Sequence, residues 1–230
     1  MINRLPRWVL FGGAVLTFNA GMINAVGFLS FTHQGVTHLT GTTTLFGIAV
    51  GLGQRDEAGH YLALIAAFVA GATVSGILIR DSTLRLGRRY GAALLVESAL
   101  LVLAVHFLQR GNAAGDYLAS AACGLQNAMA STYSGAVVRT THVSGIFTDL
   151  GIFLGHLLRR MAVDWRRIRL WGAQLLAFSG GGAVGALAFA RLNYATLYLP
   201  ALLTAGAGAG YGLYQTYQHV TGGKNRPPAA

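Results

Sequence analysis

The sequence predicts an all-α, polytopic transmembrane protein made of two inverted repeats, each with three spans and one re-entrant or broken helical segment. Three observations lead there. The chain has 230 residues, of which 53% are hydrophobic and only 10% charged, with a mean hydropathy of +0.51. Soluble domains carry about 25% charged residues, so this chain lacks the polar surface needed to face water. From Trp8 to Gln54 there is no Asp, Glu, Lys or Arg, a run well beyond the roughly 20 apolar residues that cross a bilayer. Finally, the Gly- and Thr-rich segments of the two halves match in order.

The spans fall between charged punctuation, at about 8–30, 60–79, 90–108, 117–137, 170–190 and 194–217. The apolar run after MINRLPR is too long for a cleaved signal segment and reads as a retained first span. Two further apolar segments, about 35–53 and 141–158, are dense in Gly, Thr and His. THLTGTTTLFGIAVG from Thr37 and THVSGIFTDLGIFLG from Thr141 agree at 7 of 15 positions. Upstream, GMINA from Gly21 matches GLQNA from Gly124, and downstream AFVAGATVSG from Ala67 parallels AFSGGGAVGA from Ala177. Ordered matches at a fixed spacing mark a duplication. Repeat one covers about 8–108 and repeat two about 117–217 of a single transmembrane domain, followed by a tail at about 219–230 expected to be disordered.

Topology follows from the 17 Lys and Arg residues. With the N-terminus cytoplasmic and all eight segments crossing, they divide 11 inside to 6 outside, which strands Arg80, Arg85, Arg88 and Arg89 outside. If the two Thr/Gly segments enter and return, the division becomes 14 to 3, which the positive-inside rule prefers. Both termini and the loops 80–89 and 159–169 then face the cytoplasm, while 53–59 and 109–116 face outward. Three crossings per half invert the second half, and inverted repeats place a working site at the interface between halves. The basic clusters lie between apolar spans, which points to anionic lipid headgroups as partners and excludes nucleic acid.

GMINAVGFL, HLTGTTTLFGIAVG, GLQNA and TTHVSGIFTDLG resemble the signature segments of the YoaK family of bacterial membrane proteins, and the resemblance spans nearly the whole chain. It implies a bacterial inner (cytoplasmic) membrane protein of six to eight spans, with no settled activity. Two positions depart from the family pattern. Asn24 stands where the family usually has Asp, and Thr42 follows Thr40 and Gly41 where the pattern is T-G-N.

His38 and His142 are equivalent in the two repeats, each followed by Thr40 or Ser144 and then Gly41 or Gly145. Histidine changes charge near neutral pH. If the glycines break the helix, Thr42–Thr44 and Ile146–Thr148 begin half-helices whose free N–H groups suit an anion or carboxylate. The plainer alternative is that Thr and Ser bond back to their own helix while the glycines allow close packing. The expected solute-binding set is His38, Thr40, Gly41, Thr42, Thr44, His142, Ser144, Gly145, Thr148 and Asp149, lining one cavity. Asp149 and Glu97 are the acids within apolar segments, and intramembrane carboxylates point to a pathway or proton relay. The amides Asn19, Asn24, Gln126 and Asn127 are expected to bridge helices. The lone Cys123 sits among small apolar residues, in a packing position.

No phosphate-binding loop, nucleophile elbow or HExxH is present, and no metal or cofactor is expected. The sequence therefore reads as a transporter or channel for a small polar or anionic solute. A membrane-embedded enzyme and a non-transporting scaffold or sensor are the alternatives. The oligomeric state is left open, a homodimer included.

Overall fold

The computed structural model describes residues 7–79 and 88–222. Among them are eight α-helices: α1 (Arg7–Leu29), α2 (Leu39–Gly51), α3 (Arg55–Leu78), α4 (Arg88–Leu108), α5 (Ala114–Ser134), α6 (Val143–Leu158), α7 (Trp165–Leu192) and α8 (Tyr198–Gly222). A 3-10 turn, Asn193–Leu197, joins the last two. α8 runs on to Gly222, into the segment read as a tail. The rest of that tail, and Arg80 and Arg85 of the first basic cluster, lie outside the described residues.

Local chemistry fixes several helix ends. Asp56 and Glu57 lie in the first turn of α3, where negative charge complements the helix dipole. Asp164 caps α7 by accepting from the Arg166 N–H at 3.0 Å. α5 stops at Gly135, whose φ of +61° is left-handed, a conformation glycine adopts without a Cβ penalty.

Among the described residues, four stretches are long and apolar enough to cross a bilayer: Leu10–Leu29, Arg55–Leu78, Arg89–Leu108 and Trp165–Leu213, the last comprising α7 and most of α8. Their outward residues, among them Ile77, Leu176, Leu187 and Leu213, are exposed, as lipid-facing residues of a membrane protein are. α5 is less apolar yet the most buried helix. Its neighbours α3 and α4 shield it from lipid, so its Ser, Gln and Asn side chains need only satisfy protein partners. α2 and α6 have 13 and 16 residues. At 1.5 Å per residue they span about 20 and 24 Å, short of a core about 30 Å thick.

The duplication governs the packing, because each half lends its helices to the other. α1 packs along α7, and α3 along α5. At both crossings a glycine lies against a backbone carbonyl. A methyl at Gly21 would collide with the Phe178 carbonyl, and one at Gly181 with that of Phe18. In the equivalent interface, a methyl at Gly124 would collide with the Phe68 carbonyl, and one at Gly71 with that of Ala121. Gly21 and Gly124 are repeat equivalents, as are Phe68 and Phe178, and Gly71 and Gly181. The two contacts are therefore one contact built twice.

Side-chain pairs give the helix directions. α3 and α5 are parallel: His60 meets the Tyr117 hydroxyl at 2.9 Å, and Ser120 Oγ donates to the Leu64 carbonyl at 3.0 Å. α1 and α5 are antiparallel, with Gly13 beside Val138, the Leu16 carbonyl accepting from Gln126 Nε2 at 2.6 Å, and Ile23 and Val26 clustered with Ala119 and Ala122. α4 and α8 are also antiparallel: Gly91 faces Gly208 near one end, while Leu101 and Leu108 share the core with Leu197 and Ala201 near the other. Equivalent helices thus run in opposite directions, so the halves are inverted. Eight full crossings would have made them parallel.

Candidate functional site

The THxxG residues do not gather in one cavity. α2 lies on α3 and α6 on α7, and the two do not pack against each other among the described residues. His38, Thr40, Thr44, His142, Ser144, Thr148 and Asp149 are exposed, Gly41 and Gly145 are half-buried, and Thr42 is buried. Nor do the glycines break the helices. α2 begins at Leu39 and α6 at Val143, two residues before Gly41 and Gly145. The break falls instead at His38 (φ −105°, ψ 64°) and His142 (φ −95°, ψ 50°). Each imidazole folds over the first turn of its own helix, where a methyl on the glycine would collide with the ring. The glycine of THxxG is a seat for the histidine.

Thr42 Oγ1 bonds to the His38 carbonyl at 3.2 Å, Thr44 Oγ1 to that of Thr40 at 3.1 Å, and Thr148 Oγ1 to that of Ser144 at 3.2 Å. The plainer reading of these hydroxyls, back-bonding within the helix, is the one the structure adopts.

The backbone before α2 runs back down beside α1. A methyl on Gly27 would sit 2.5 Å from the Gln34 carbonyl oxygen. Asn24 Oδ1 accepts from the Thr37 N–H at 3.2 Å, and the Val36 carbonyl accepts from Ser120 Oγ at 3.2 Å. Asn24 thus serves as a backbone partner for a non-helical segment, which needs such partners once it is buried.

The deepest polar cluster lies where α1, α4 and α5 meet. Glu97 and Gln126 are fully buried, and Asn19 is nearly so. Asn19 Nδ2 donates to Glu97 Oε1 at 3.4 Å, while Glu97 Oε2, Asn19 Oδ1 and Gln126 Oε1 have no hydrogen-bond partner. Among the described residues, the partner of Glu97 is the Asn19 amide, with no histidine hydrogen-bonded to it. Asn127 Oδ1 is also unpartnered, so of the four amides Asn19 and Gln126 bridge helices. Cys123 is buried in the core nearby, as its surroundings predict.

One turn away opens a cavity of about 320 Å³ between α1, α4, α5 and α8. Phe11, Leu16, Leu94, Met129 and Val138 line it, together with the rings of Tyr90, Tyr133 and Tyr211. Leu16, Leu94 and Met129 precede or follow Asn19, Glu97 and Gln126 by three residues on their helices, so the polar cluster stands one helical turn from the lining. Of the residues lining this vestibule, Phe11, Gly12 and Gly13 lie near the start of α1. At the other end, Ile23, Val26, Val36, Leu101, Val105 and Leu197 pack into a continuous core. There Thr32 Oγ1 donates to Asp116 Oδ2 at 2.9 Å, tying the loop after α1 to α5. Asp116 precedes the apolar stretch that starts at Tyr117. Burial pushes its carboxyl up to about 6, with the Thr32 and Ser30 hydroxyls pulling the other way.

A second, polar pocket of about 190 Å³ is lined by Arg139, His142, Ile146, Asp149, Trp171 and Gln174, together with Ala136 and Val137. It collects two of the expected binding residues, His142 just before α6 and Asp149 within it. Arg139, Trp171, Gln174 and the vestibule tyrosines did not stand out in the sequence. Gln174 carried a usable signal, since it is a long polar side chain within an apolar span.

The fold and these cavities define a polytopic α-helical membrane protein of duplicated, interlocked design. The chain belongs to the family DUF1275, described as a protein family of unknown function, whose profile matches residues 12–210. No curated protein and no solved structure matches it significantly.

Proposed function

We propose that the protein is a membrane transporter for a small solute, with the vestibule between α1 and α8 as its access route. One observation carries this reading: an asymmetry between two interfaces that the repeat makes equivalent. The duplication maps α4 against α5 onto α8 against α1. α4 packs along α5, whereas among the described residues α8 barely touches α1 and the cavity lies between them. One equivalent interface shut and the other open is the arrangement that alternating access requires of inverted repeats.

The topology fits this role. With the N-terminus cytoplasmic, the vestibule opens to the cytoplasm, and the basic loop 159–169 lies at the same end because α7 runs parallel to α1. The short α2 and α6, each preceded by a non-helical segment, act as re-entrant hairpins. The YoaK-like motifs add a bacterial inner membrane as the setting. The lining favours a solute with an apolar or aromatic body and few hydrogen-bonding groups, since little beyond the tyrosines is polar. The anionic preference expected of the THxxG pair finds no support in this cavity. Glu97 Oε2, without a hydrogen-bond partner among the described residues, is our candidate to hold a coupling proton.

Uptake by proteoliposomes, screened over small aromatic and aliphatic amphiphiles under an imposed pH gradient, tests the proposal. The wild type should accumulate at least one of them faster with the gradient. Glu97→Gln should fold normally, lose that acceleration and fall by on the order of tenfold or more. Gradient-driven uptake that is unchanged in Glu97→Gln removes Glu97 from the mechanism.

A further inference from the structure

The polar pocket between α6 and α7 has a separate logic. Neither Arg139 nor Asp149 forms an ion pair with a described residue, so opposite charges flank the pocket without neutralising each other. Gln174 is 2% exposed, and its Nε2 has no hydrogen-bond partner among the described residues. Leaving a buried amide N–H unsatisfied is costly, and here it belongs to a residue that lines the pocket. Trp171 supplies a wall.

The repeat sharpens the point. The positions equivalent to Arg139, Asp149 and Gln174 in the first half are Gly35, Leu45 and Leu64. Three apolar or featureless positions therefore correspond to a cation, an anion and an amide donor that converge on one pocket in the second half. Packing needs alone do not call for such a change, since the first half packs without it.

We propose that this pocket binds a zwitterion. Its phosphate or carboxylate lies on the Arg139 guanidinium and the Gln174 amide N–H, and its ammonium lies beside Asp149. Arginine offers a planar fork of donors that suits such oxyanions, and a volume of about 190 Å³ admits a group the size of phosphoethanolamine. That chemistry has two sources, a soluble small zwitterion or the headgroup of an ethanolamine phospholipid. The site is independent of the vestibule, and either can fail without the other.

The test is thermal unfolding of the full-length protein with O-phosphoethanolamine, inorganic phosphate or ethanolamine, first in detergent and then in nanodiscs. Phosphoethanolamine should raise Tm more than either half-ligand. Arg139→Gln and Asp149→Asn, both at exposed positions, should weaken its apparent affinity by tenfold or more. Gln174→Leu should do the same if it folds, and the two exposed variants suffice if it does not. A soluble ligand predicts the shift in phosphatidylcholine nanodiscs as well. A lipid ligand predicts that nanodiscs of phosphatidylethanolamine stabilise the wild type over phosphatidylcholine ones, and that Asp149→Asn abolishes the difference, because a trimethylated amine has no N–H to donate. The proposal is overturned if no arm shows a shift, if phosphate alone matches phosphoethanolamine, or if the variants behave as the wild type.

Discussion

Alanine at Gly124 or at Gly181 is expected to destabilise the protein by about 1–3 kcal/mol or more each, as overpacking of a close contact does. The added methyl at Gly124 would collide with the Phe68 carbonyl, and the one at Gly181 with that of Phe18. Neither neighbour is the far end of a flexible side chain, so only a shift of one whole helix against the other relieves the clash. Because small residues let helix backbones approach in membranes, such a shift gives up packing along α1–α7 or α3–α5. Gly47 and Gly76 have open space where a Cβ would go. Alanine there should be neutral, or stabilising by up to about 1 kcal/mol through its higher helix propensity. Unfolding in mild detergent, followed by loss of the monodisperse species on heating, separates the two classes. Equal tolerance of Gly124→Ala and Gly76→Ala would mean that the interlocked crossings do not hold the halves together.

Ala207→Trp is expected to bring uptake down to the level of empty liposomes while leaving thermal stability near that of the wild type. Ala207 lines the vestibule from α8 and is exposed, so a larger side chain has room without entering the packed core. An indole there occupies much of a cavity of about 320 Å³. Uptake measured with whichever solute the screen identifies, beside the melting curve of the same preparation, decides between blockage and misfolding. Full uptake in a stable Ala207→Trp protein would show that solute does not pass through this cavity.

The membrane class, the duplication and its inversion were legible in the sequence, because each leaves a one-dimensional trace: charge-free runs, ordered repeats and the side on which arginines accumulate. The close crossings were half legible. The runs at Ala70–Gly76 and Ser179–Gly185 announce tight packing, but the pairing of α1 with α7 and of α3 with α5 arises from the exchange of partners between halves, which has no local signature. The expected gathering of the THxxG residues in one cavity does not occur, for a physical reason. His38 and His142 are equivalent by sequence, and equivalence was read as proximity. In inverted repeats that hold α2 and α6 against different helices, equivalent motifs need not meet. The glycines of THxxG carry a second lesson, since a glycine in the first turn of a helix can serve the residue before that helix and leave the helix itself unbroken. Glu97 stood out as an acid in an apolar span. The vestibule beside it, made of tyrosines and aliphatic residues from four helices, had no pattern by which to find it.

The most direct measurement of the account is the side from which the vestibule is reached. The chain has one thiol, Cys123, which is buried, so Ala207→Cys adds a single exposed thiol to a silent background. Right-side-out and inverted membrane vesicles would be treated with a membrane-impermeant maleimide, with wild-type protein as the blank. Ala207→Cys is expected to label in inverted vesicles only, from the face that carries the N-terminus and the loop 159–169. Labelling in right-side-out vesicles alone, or equally in both, would contradict it.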